Sequence, residues 1–188
     1  MCIRDRSMTP PDGFDEYVIG ADNLLILFQW PESEGVLHEW LSGLQCEILD
    51  GLNHSRRIEV PVRYDGPDLA TVAVATGLSE AEVVAIHSAP EYRVRMMGFA
   101  PGFPYLDGLD ERLHLERKAS PRDRIEPGSV AIGGSHAGIY SVASPGGWHL
   151  LGRTDFPLFQ AEQARGTVSD ARQVFALAAG DTVKFLVI

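Results

Sequence analysis

Two segments decide how this chain folds: MGFAPGFPYL, residues 97–106, and ASPRDRIEPGSVAIGGSHAGIYSVASPGGWHLLGRT, residues 119–154. Glycine permits positive φ and close backbone approach, and proline fixes φ in turns, so this density of both residues is typical of tight corners. The apolar runs between them are the length of short strands: Val130–Ile132, Ile139–Val142 and Trp148–Leu151. The pattern predicts a turn-rich β-barrel, and it leaves open whether one face is a ligand or partner surface.

The composition narrows the class of protein. The chain has 188 residues, 45% of them hydrophobic, which is enough for one large domain or two small ones. A formal net charge of −10 opposes binding to nucleic acid or to an anionic membrane. The two cysteines, Cys2 and Cys46, lie in no CxxC pair or zinc-binding pattern, and no unbroken apolar run, Leu24–Phe28 included, is long enough to span a bilayer. We therefore expect a cytoplasmic protein without a metal site, a nucleic-acid partner or a membrane segment.

The first half of the chain predicts alternating strands and helices. Strands are expected at Leu24–Gln29 and Arg57–Arg63, and helices at Glu34–Leu44, Leu69–Thr76 and from Ser79 to about His87. Pro61 indicates a sheet edge or a strand end, Asp68 is expected to cap one helix, and Ser79 with Glu82 forms a capping box. The last two helices resemble a DNA-binding pair, but Glu80 and Glu82 occupy positions where base-reading side chains are needed. We interpret them as a structural hairpin.

The second half predicts mainly strands. They are expected at Tyr92–Phe99, Ser129–Ile132, Ile139–Ala143, Trp148–Arg153 and Lys184–Ile188. We divide the chain into a disordered or turn-like tail over residues 1–13, an N-terminal α+β domain with the hairpin over residues 14–89, and a C-terminal β-barrel domain over residues 90–188.

Four motifs in order give the chain a family resemblance. GFAPGFPYL (98–106), PRDRIEPGSVAIGG (121–134), GIYSVASPGGWHLLGRT (138–154) and AAGDTVKF (178–185) resemble the bacterial family of 5-oxoprolinase B subunits. That family overlaps with allophanate hydrolase subunit 1, with the carboxyltransferase C and D subdomains, and with a sporulation kinase inhibitor. The resemblance implies an α+β fold in which a small N-terminal α+β domain precedes a cyclophilin-like β-barrel. It also implies that Met1–Ser7 is not native and that the N-terminal domain is truncated, the alternative being a divergent short start.

The resemblance implies a role within a complex. 5-Oxoprolinase opens the lactam of 5-oxoproline to L-glutamate and hydrolyses ATP, and the chain would serve it as a subunit that is inactive alone. ATP would act at the level of the complex. The partners would be the larger, carboxyltransferase-like C subunit of 5-oxoprolinase and a protein of the A-subunit type. Two alternatives stay open: a carboxyltransferase subunit of the allophanate hydrolase or urea carboxylase type, and a histidine-kinase inhibitor that docks through exposed aromatic residues.

The candidate site residues follow from this role. The sequence contains no GxSxG, GxxxxGK[ST] or HExxH motif, which favours a subunit that completes another protein's site. We expect Arg122 and His87 as catalytic residues, Arg122 gripping an anion and His87 moving or positioning a proton; a helix C-terminal role for His87 is the alternative. The expected substrate-binding residues are two pairs that could form anion nests and two hydroxyl donors: Gly133, Gly134, Gly146, Gly147, Tyr140 and Ser144.

The chain departs from the family pattern at three places. His136 and Ala137 stand where the family usually has Gln-Thr, and Ser141 stands where it usually has proline. Ile125, Glu126 and Pro127 replace the usual Val-Pro. The first departure removes two hydrogen-bonding side chains, and it therefore bears on the identity of the substrate.

Overall fold

The structure is a computed structural model that describes residues 11–19, 24–29, 34–43, 55–165 and 171–188. The chain forms two compact units, Met1–His54 and Ser55–Ile188. The expectation that Met1–Ser7 is not native concerns residues outside the described ones.

The first unit contains a hairpin and a helix. Strand β1 (Phe14–Ile19) pairs antiparallel with β2 (Leu24–Phe28), and α1 spans Glu34–Gly43. The predicted strand at Leu24–Gln29 and the helix from Glu34 are confirmed to within a residue, whereas β1 was not predicted. The Phe14 ring lies 6.2 Å from that of Phe28 and 5.8 Å from that of Trp40, so these aromatic contacts pack the helix onto the hairpin.

The second unit contains nine strands and three α-helices among the described residues. In chain order they are β3 (Arg57–Val62), α2 (Leu69–Thr76), α3 (Glu80–Ser88), β4 (Glu91–Met97), β5 (Pro104–Asp107), β6 (Arg122–Ile125), β7 (Ser129–Gly133), β8 (His136–Ile139), β9 (Ser144–Gly146), β10 (His149–Arg153), α4 (Ala161–Ala164) and β11 (Thr182–Val187). The strand expected at Ile139–Ala143 overlaps β8 at Ile139 only, because β8 spans His136–Ile139. Residues 174–181 form no helix and lead into β11 through a turn at Gly180 and Asp181.

Seven of these strands form one curled sheet in the order β10-β7-β8-β5-β4-β11-β3. All neighbouring pairs are antiparallel except β11 and β3. The two edge strands meet just beyond β3, where Arg63 and Arg153 exchange backbone hydrogen bonds of 2.9 and 2.8 Å. The sheet is therefore a half-barrel whose two edges touch at one bridge, where a barrel was expected. Pro61 lies in β3, which is an edge strand of this sheet, as its sequence position predicted.

The helical hairpin belongs to this second unit. Val72 of α2 and Val83 of α3 are fully buried in one core with Val60, Tyr92 and Leu106 of the sheet. The structure thus divides the chain after His54, whereas the sequence analysis placed the boundary after Ala89. The reason is that the hairpin has an apolar face that only the sheet covers.

The helix ends are partly as predicted. Ser79 and Glu82 form the capping box of α3, and Gly77 follows α2 as its C-cap. Asp68 occupies the N-cap position of α2, but its side chain makes no capping hydrogen bond, so the predicted capping role is wrong. Its carboxylate instead accepts hydrogen bonds from Lys118, Arg122 and the Leu150 N–H.

Among the described residues, no single helix has the length and apolar character needed to cross a membrane; α2 and α3 satisfy that test only when taken together, across a bend of 94°.

Candidate functional site

A buried carboxylate gathers two cations at the centre of the candidate site. Arg122 Nη2 and Lys118 Nζ each donate to Asp68 Oδ1 over 2.8 Å, and the Leu150 N–H donates to Asp68 Oδ2 over 2.8 Å. The Asp68 side chain is only 3% exposed, so its charge is compensated by hydrogen bonds rather than by water. This arrangement fixes one side of the Arg122 guanidinium.

The electrostatics favour the ionised forms of Asp68 and Arg122. Burial raises the pKa of Asp68, but the hydrogen bonds from Arg122, Lys118 and the Leu150 N–H outweigh it and lower that pKa to about 2. The hydrogen bond to Asp68 in turn raises the pKa of Arg122. Two cations and one carboxylate leave this cluster with one net positive charge.

A two-stranded ribbon carries Arg122 beside the other predicted residues. Strands β6 and β9 pair antiparallel, with Arg122 opposite Gly146 and Ile125 opposite Ser144. Gly146 has no room for a side chain, because a Cβ there would collide with the Tyr140 hydroxyl and come within 2.9 Å of Ile125 Cδ1. The structure therefore brings together four predicted residues: Arg122, Tyr140, Ser144 and Gly146.

Two donors on this ribbon have no protein partner. Arg122 Nη1 and Ser144 Oγ are buried and form no hydrogen bond with any described residue. Buried donors without partners are uncommon, because each one costs free energy unless something accepts from it. They mark the ribbon as a surface that an acceptor group would complete.

Aromatic side chains surround this surface. Tyr140 and Trp148 are buried, and the Phe103 ring lies 5.2 Å from the Tyr140 ring and 5.5 Å from the Trp148 ring. Phe99 is 58% exposed and has a φ of 67°, which is unusual for a residue with a side chain. Its ring stands edge-on to that of Tyr140 at 6.2 Å. Strained backbone at an exposed aromatic residue is typical of functional surfaces.

Three of the glycines expected in anion nests make packing or backbone contacts within the protein: Gly133, Gly134 and Gly147. A Cβ on Gly133 would lie 2.7 Å from the Trp148 ring, so this glycine makes room for the indole. The Gly134 N–H donates to the Leu115 carbonyl over 2.8 Å, which removes it as an anion donor. The Gly147 carbonyl accepts from the Lys118 N–H over 2.7 Å and so ties the ribbon to the basic segment.

His87 lies in the core, away from the Arg122 cluster. It is 0% exposed, its ring stacks on Phe185 at 4.8 Å, and its Nδ1 shares a hydrogen bond of 2.7 Å with the Tyr64 hydroxyl. Burial lowers the pKa of His87 to about 3, so the imidazole is neutral and gains little from the helix dipole. Among the described residues, no contact joins His87 to Arg122. We therefore place it outside the candidate site.

The departures from the family pattern have local explanations. Ala137 is fully buried in β8, and His136 Nδ1 lies 3.1 Å from Asp107 Oδ1. The Ser141 hydroxyl donates to the Pro101 carbonyl over 2.5 Å and so anchors the loop that carries Phe99. None of these changes alters the Arg122, Tyr140 and Ser144 cluster.

Sequence reasoning missed the role of Asp68. Its position before α2 had a sufficient local explanation as a cap, and its partners lie 50 and 54 residues away. The basic segment could have indicated this role. Lys118 and Arg122 lie close together in the sequence of an acidic chain, so a nearby carboxylate that pairs with them is expected. Among the residues that the structure describes, no cluster of His, Cys, Asp and Glu could hold a metal ion.

Known proteins of similar sequence show which family the chain belongs to. Residues 3–168 match the family described as carboxyltransferase domain, subdomain C and D. The 5-oxoprolinase B subunit of Escherichia coli O157:H7 is 42% identical over 179 residues, which cover 91% of this chain and 77% of that protein. The corresponding protein of Haemophilus influenzae is 42% identical over 185 residues, covering 97% and 83%. The chain belongs to the family of 5-oxoprolinase B subunits.

Solved structures support the same fold. The crystal structure of TTHA0988 matches with a TM-score of 0.75 at 38% identity, over 95% of this chain and 33% of that one. The Kluyveromyces lactis urea carboxylase matches with a TM-score of 0.71 over 95% of this chain and 18% of that one. At 20% identity, the second likeness concerns the fold alone. The chain thus spans about a third of the length of TTHA0988.

Proposed function

We propose that this chain is a subunit of a cytoplasmic, ATP-dependent 5-oxoprolinase that opens 5-oxoproline to L-glutamate together with partner subunits. The observation that supports the proposal is a pair of buried donors without partners among the described residues, Arg122 Nη1 and Ser144 Oγ. Family membership supplies the reaction. The half-barrel that presents this face would correspond to the cyclophilin-like barrel of the family.

The chemistry requires more than this face provides. Amide resonance makes a lactam carbon a weak electrophile, so hydrolysis needs groups that stabilise negative charge as it develops on the carbonyl oxygen. The described residues contribute positive charge and hydrogen-bond donors at Arg122. We infer that the remaining catalytic groups come from another protein of the complex, so that the chain alone is inactive.

The described residues do not fit ATP. The Arg122 cluster carries one net positive charge, and the Gly134 N–H of the expected nest is already donated to Leu115. A triphosphate needs several donors and cations, as in other phosphoryl-transfer sites. We therefore assign ATP to a partner protein of the complex.

The partners follow from the same reasoning. TTHA0988 is about three times as long as this chain, so two thirds of that protein lies outside the part that matches. We propose that the larger, carboxyltransferase-like C subunit of 5-oxoprolinase, together with a protein of the A-subunit type, supplies the equivalent here. The aromatic surface around Phe99 is exposed and could form such contacts.

The test is reconstitution. Glutamate release from 5-oxoproline and ATP is measured with the two partner subunits, with and without this chain. We expect release only when the chain is present, and Arg122→Ala should lower it at least about tenfold, or roughly 1.4 kcal/mol of transition-state stabilisation. Arg124→Ala is the matched control, because Arg124 is exposed and pairs only with Glu126 among the described residues. Glutamate release without the chain would contradict the proposal.

A further inference from the structure

We infer that the ribbon face formed by Arg122, Tyr140 and Ser144 is a subsite for the carboxylate of 5-oxoproline, and not for a phosphate of ATP. This inference rests on the proposed function, because it names the part of the substrate that the face would hold. The sequence predicts that Arg122 binds an anion. Four features of the structure favour a carboxylate over a phosphate as that anion.

The first feature is the direction of the donors. Gly146 lies opposite Arg122, and the side chains of a cross-strand pair point to the same face of a sheet. Ser144 is two residues from Gly146 on the same strand, so it points to that face as well. Arg122 Nη1 and Ser144 Oγ, both buried and without partners, therefore lie on one side of the ribbon.

The second feature is the space between these donors. Because Gly146 lacks a side chain, the Tyr140 hydroxyl occupies the position where a Cβ would stand. Burial raises the pKa of Tyr140 against smaller opposing influences from the Trp148 N–H, Arg117 and Arg122, so the phenol keeps its proton and can donate it. The Tyr140 hydroxyl is thus a third group beside Gly146 that can donate a hydrogen bond.

The third feature is the geometry of the guanidinium. Arg122 Nη2 donates to Asp68 Oδ1, and Arg122 Nη1 is buried without a partner among the described residues, so Nη1 is available to a ligand. A carboxylate has two oxygens, of which one can accept from Arg122 Nη1 and the other from Ser144 Oγ. The two donors without partners, Arg122 Nη1 and Ser144 Oγ, thus match the two oxygens of one carboxylate.

The fourth feature is the charge. Lys118, Arg122 and Asp68 sum to one net positive charge, and the two exposed charges next to them, Arg117 and Asp123, cancel. A monoanion neutralises this face. A phosphate of ATP would bring additional negative charge against the buried Asp68, which a half-buried site does not favour.

The experiment measures substrate discrimination in the assembled complex. The Michaelis constants for 5-oxoproline and for ATP are determined for the wild type, for Arg122→Ala and for Ser144→Ala. We expect Ser144→Ala to raise the constant for 5-oxoproline about tenfold while the constant for ATP changes less than about twofold, because one charge-assisted hydrogen bond is lost. Ser135→Ala, an exposed serine on the β7–β8 turn, is the matched control and should change neither constant.

A second substrate tests the carboxylate directly. Pyrrolidinone is the same lactam without the carboxylate, so the wild-type complex should prefer 5-oxoproline over it more strongly than the two variants do. Equal preference in the wild type and the variants would overturn the inference. So would a rise in the constant for ATP that exceeds the rise for 5-oxoproline.

Direct binding separates failure of the subsite from failure of the proposed function. The affinity of the complex for 5-oxoproline and for pyrrolidinone is measured by calorimetry without ATP. If 5-oxoproline binds and both variants weaken it, the subsite stands even where the wild type releases no glutamate, and only the proposed reaction fails. If neither variant changes the affinity for 5-oxoproline, the subsite is wrong whatever the activity.

Discussion

Asp68 controls the charge and the orientation of the candidate site. It accepts from Arg122, Lys118 and the Leu150 N–H, and so it holds one guanidinium edge while leaving the other free. A buried carboxylate with three donors keeps its charge because the hydrogen bonds replace the lost water. Removing that charge would leave two cations close together without compensation.

The first prediction concerns Asp68→Asn. We expect this variant to be less stable than the wild type at pH 7 by about 2 kcal/mol, since Lys118 and Arg122 lose their counter-charge. The pKa of Asp68 is about 2 in the folded protein, below its ordinary value, so the carboxylate stabilises the fold above about pH 4 and this contribution is lost as the pH falls towards 2. The difference between variant and wild type should therefore shrink on acidification.

Urea unfolding between pH 7 and pH 3 measures this difference. Asp155→Asn is the control, because Asp155 is exposed and pairs with Arg63 at the surface, where an ion pair contributes little. A difference for Asp68→Asn that stays constant with pH would show that the buried charge is not what stabilises the site.

The sequence predicted single residues where a motif carried them. Arg122, Tyr140, Ser144 and Gly146 come from short segments with recognisable spacing, and the structure brings them together. The cap predicted at Asp68 was wrong, whereas the catalytic role of His87 stays a prediction. The contacts of both residues depend on partners that are distant in the sequence. A histidine at the end of a helix has the same local pattern whether it faces solvent or stacks on Phe185.

The β6–β9 ribbon depends on a close approach at Gly146. Side chains on the ribbon and the Tyr140 hydroxyl fill the space that any larger residue would need, so this glycine is required by packing rather than by an unusual φ. Sequence analysis identified the glycine but gave it a role in an anion nest. The register with Arg122, which gives Gly146 its actual role, is not visible in the sequence.

The second prediction concerns Gly146→Ala. We expect it to destabilise the chain by about 1–3 kcal/mol, because the new methyl group must displace Tyr140 or Ile125 from a packed core. Gly147→Ala is the matched control: the nearest atom to a Cβ there is the Lys118 carbonyl oxygen at 3.3 Å, so a smaller cost is expected. Thermal unfolding of both variants provides the comparison. Equal stability of the two variants would rule out the close approach at Gly146.

Over the whole molecule, the sequence predicted the kinds of element better than their assembly. The α+β composition, the helical hairpin and the edge position of Pro61 agree with the structure. The parallel pairing of β3 with β11 joins residues near 60 and near 185, and no local pattern specifies it. For the same reason the sequence does not show that the hairpin shares one core with the sheet, since what covers its apolar face depends on the complete sheet.

The last prediction follows from how the second unit is closed. Every buried residue of its main core cluster lies between Val60 and Phe185. Its first strand, β3, pairs with β11, and Arg56 just before that strand is held by the Asp181 carboxylate through its backbone N–H at 3.0 Å and its guanidinium at 2.6 Å. We therefore expect a fragment that spans Ser55–Ile188 to fold without residues 1–54.

Thermal unfolding followed by near-ultraviolet circular dichroism tests this expectation. The fragment should show one cooperative transition, with a midpoint within about 5 °C of the corresponding transition of the full chain, because a shift of that size reflects only about 1 kcal/mol. Asp181→Asn in the same fragment should lower the midpoint, because it weakens the contact that anchors the start of β3. A fragment without a cooperative transition would mean that residues before Ser55 supply part of the stability of the half-barrel, and the division after His54 would then describe geometry but not folding.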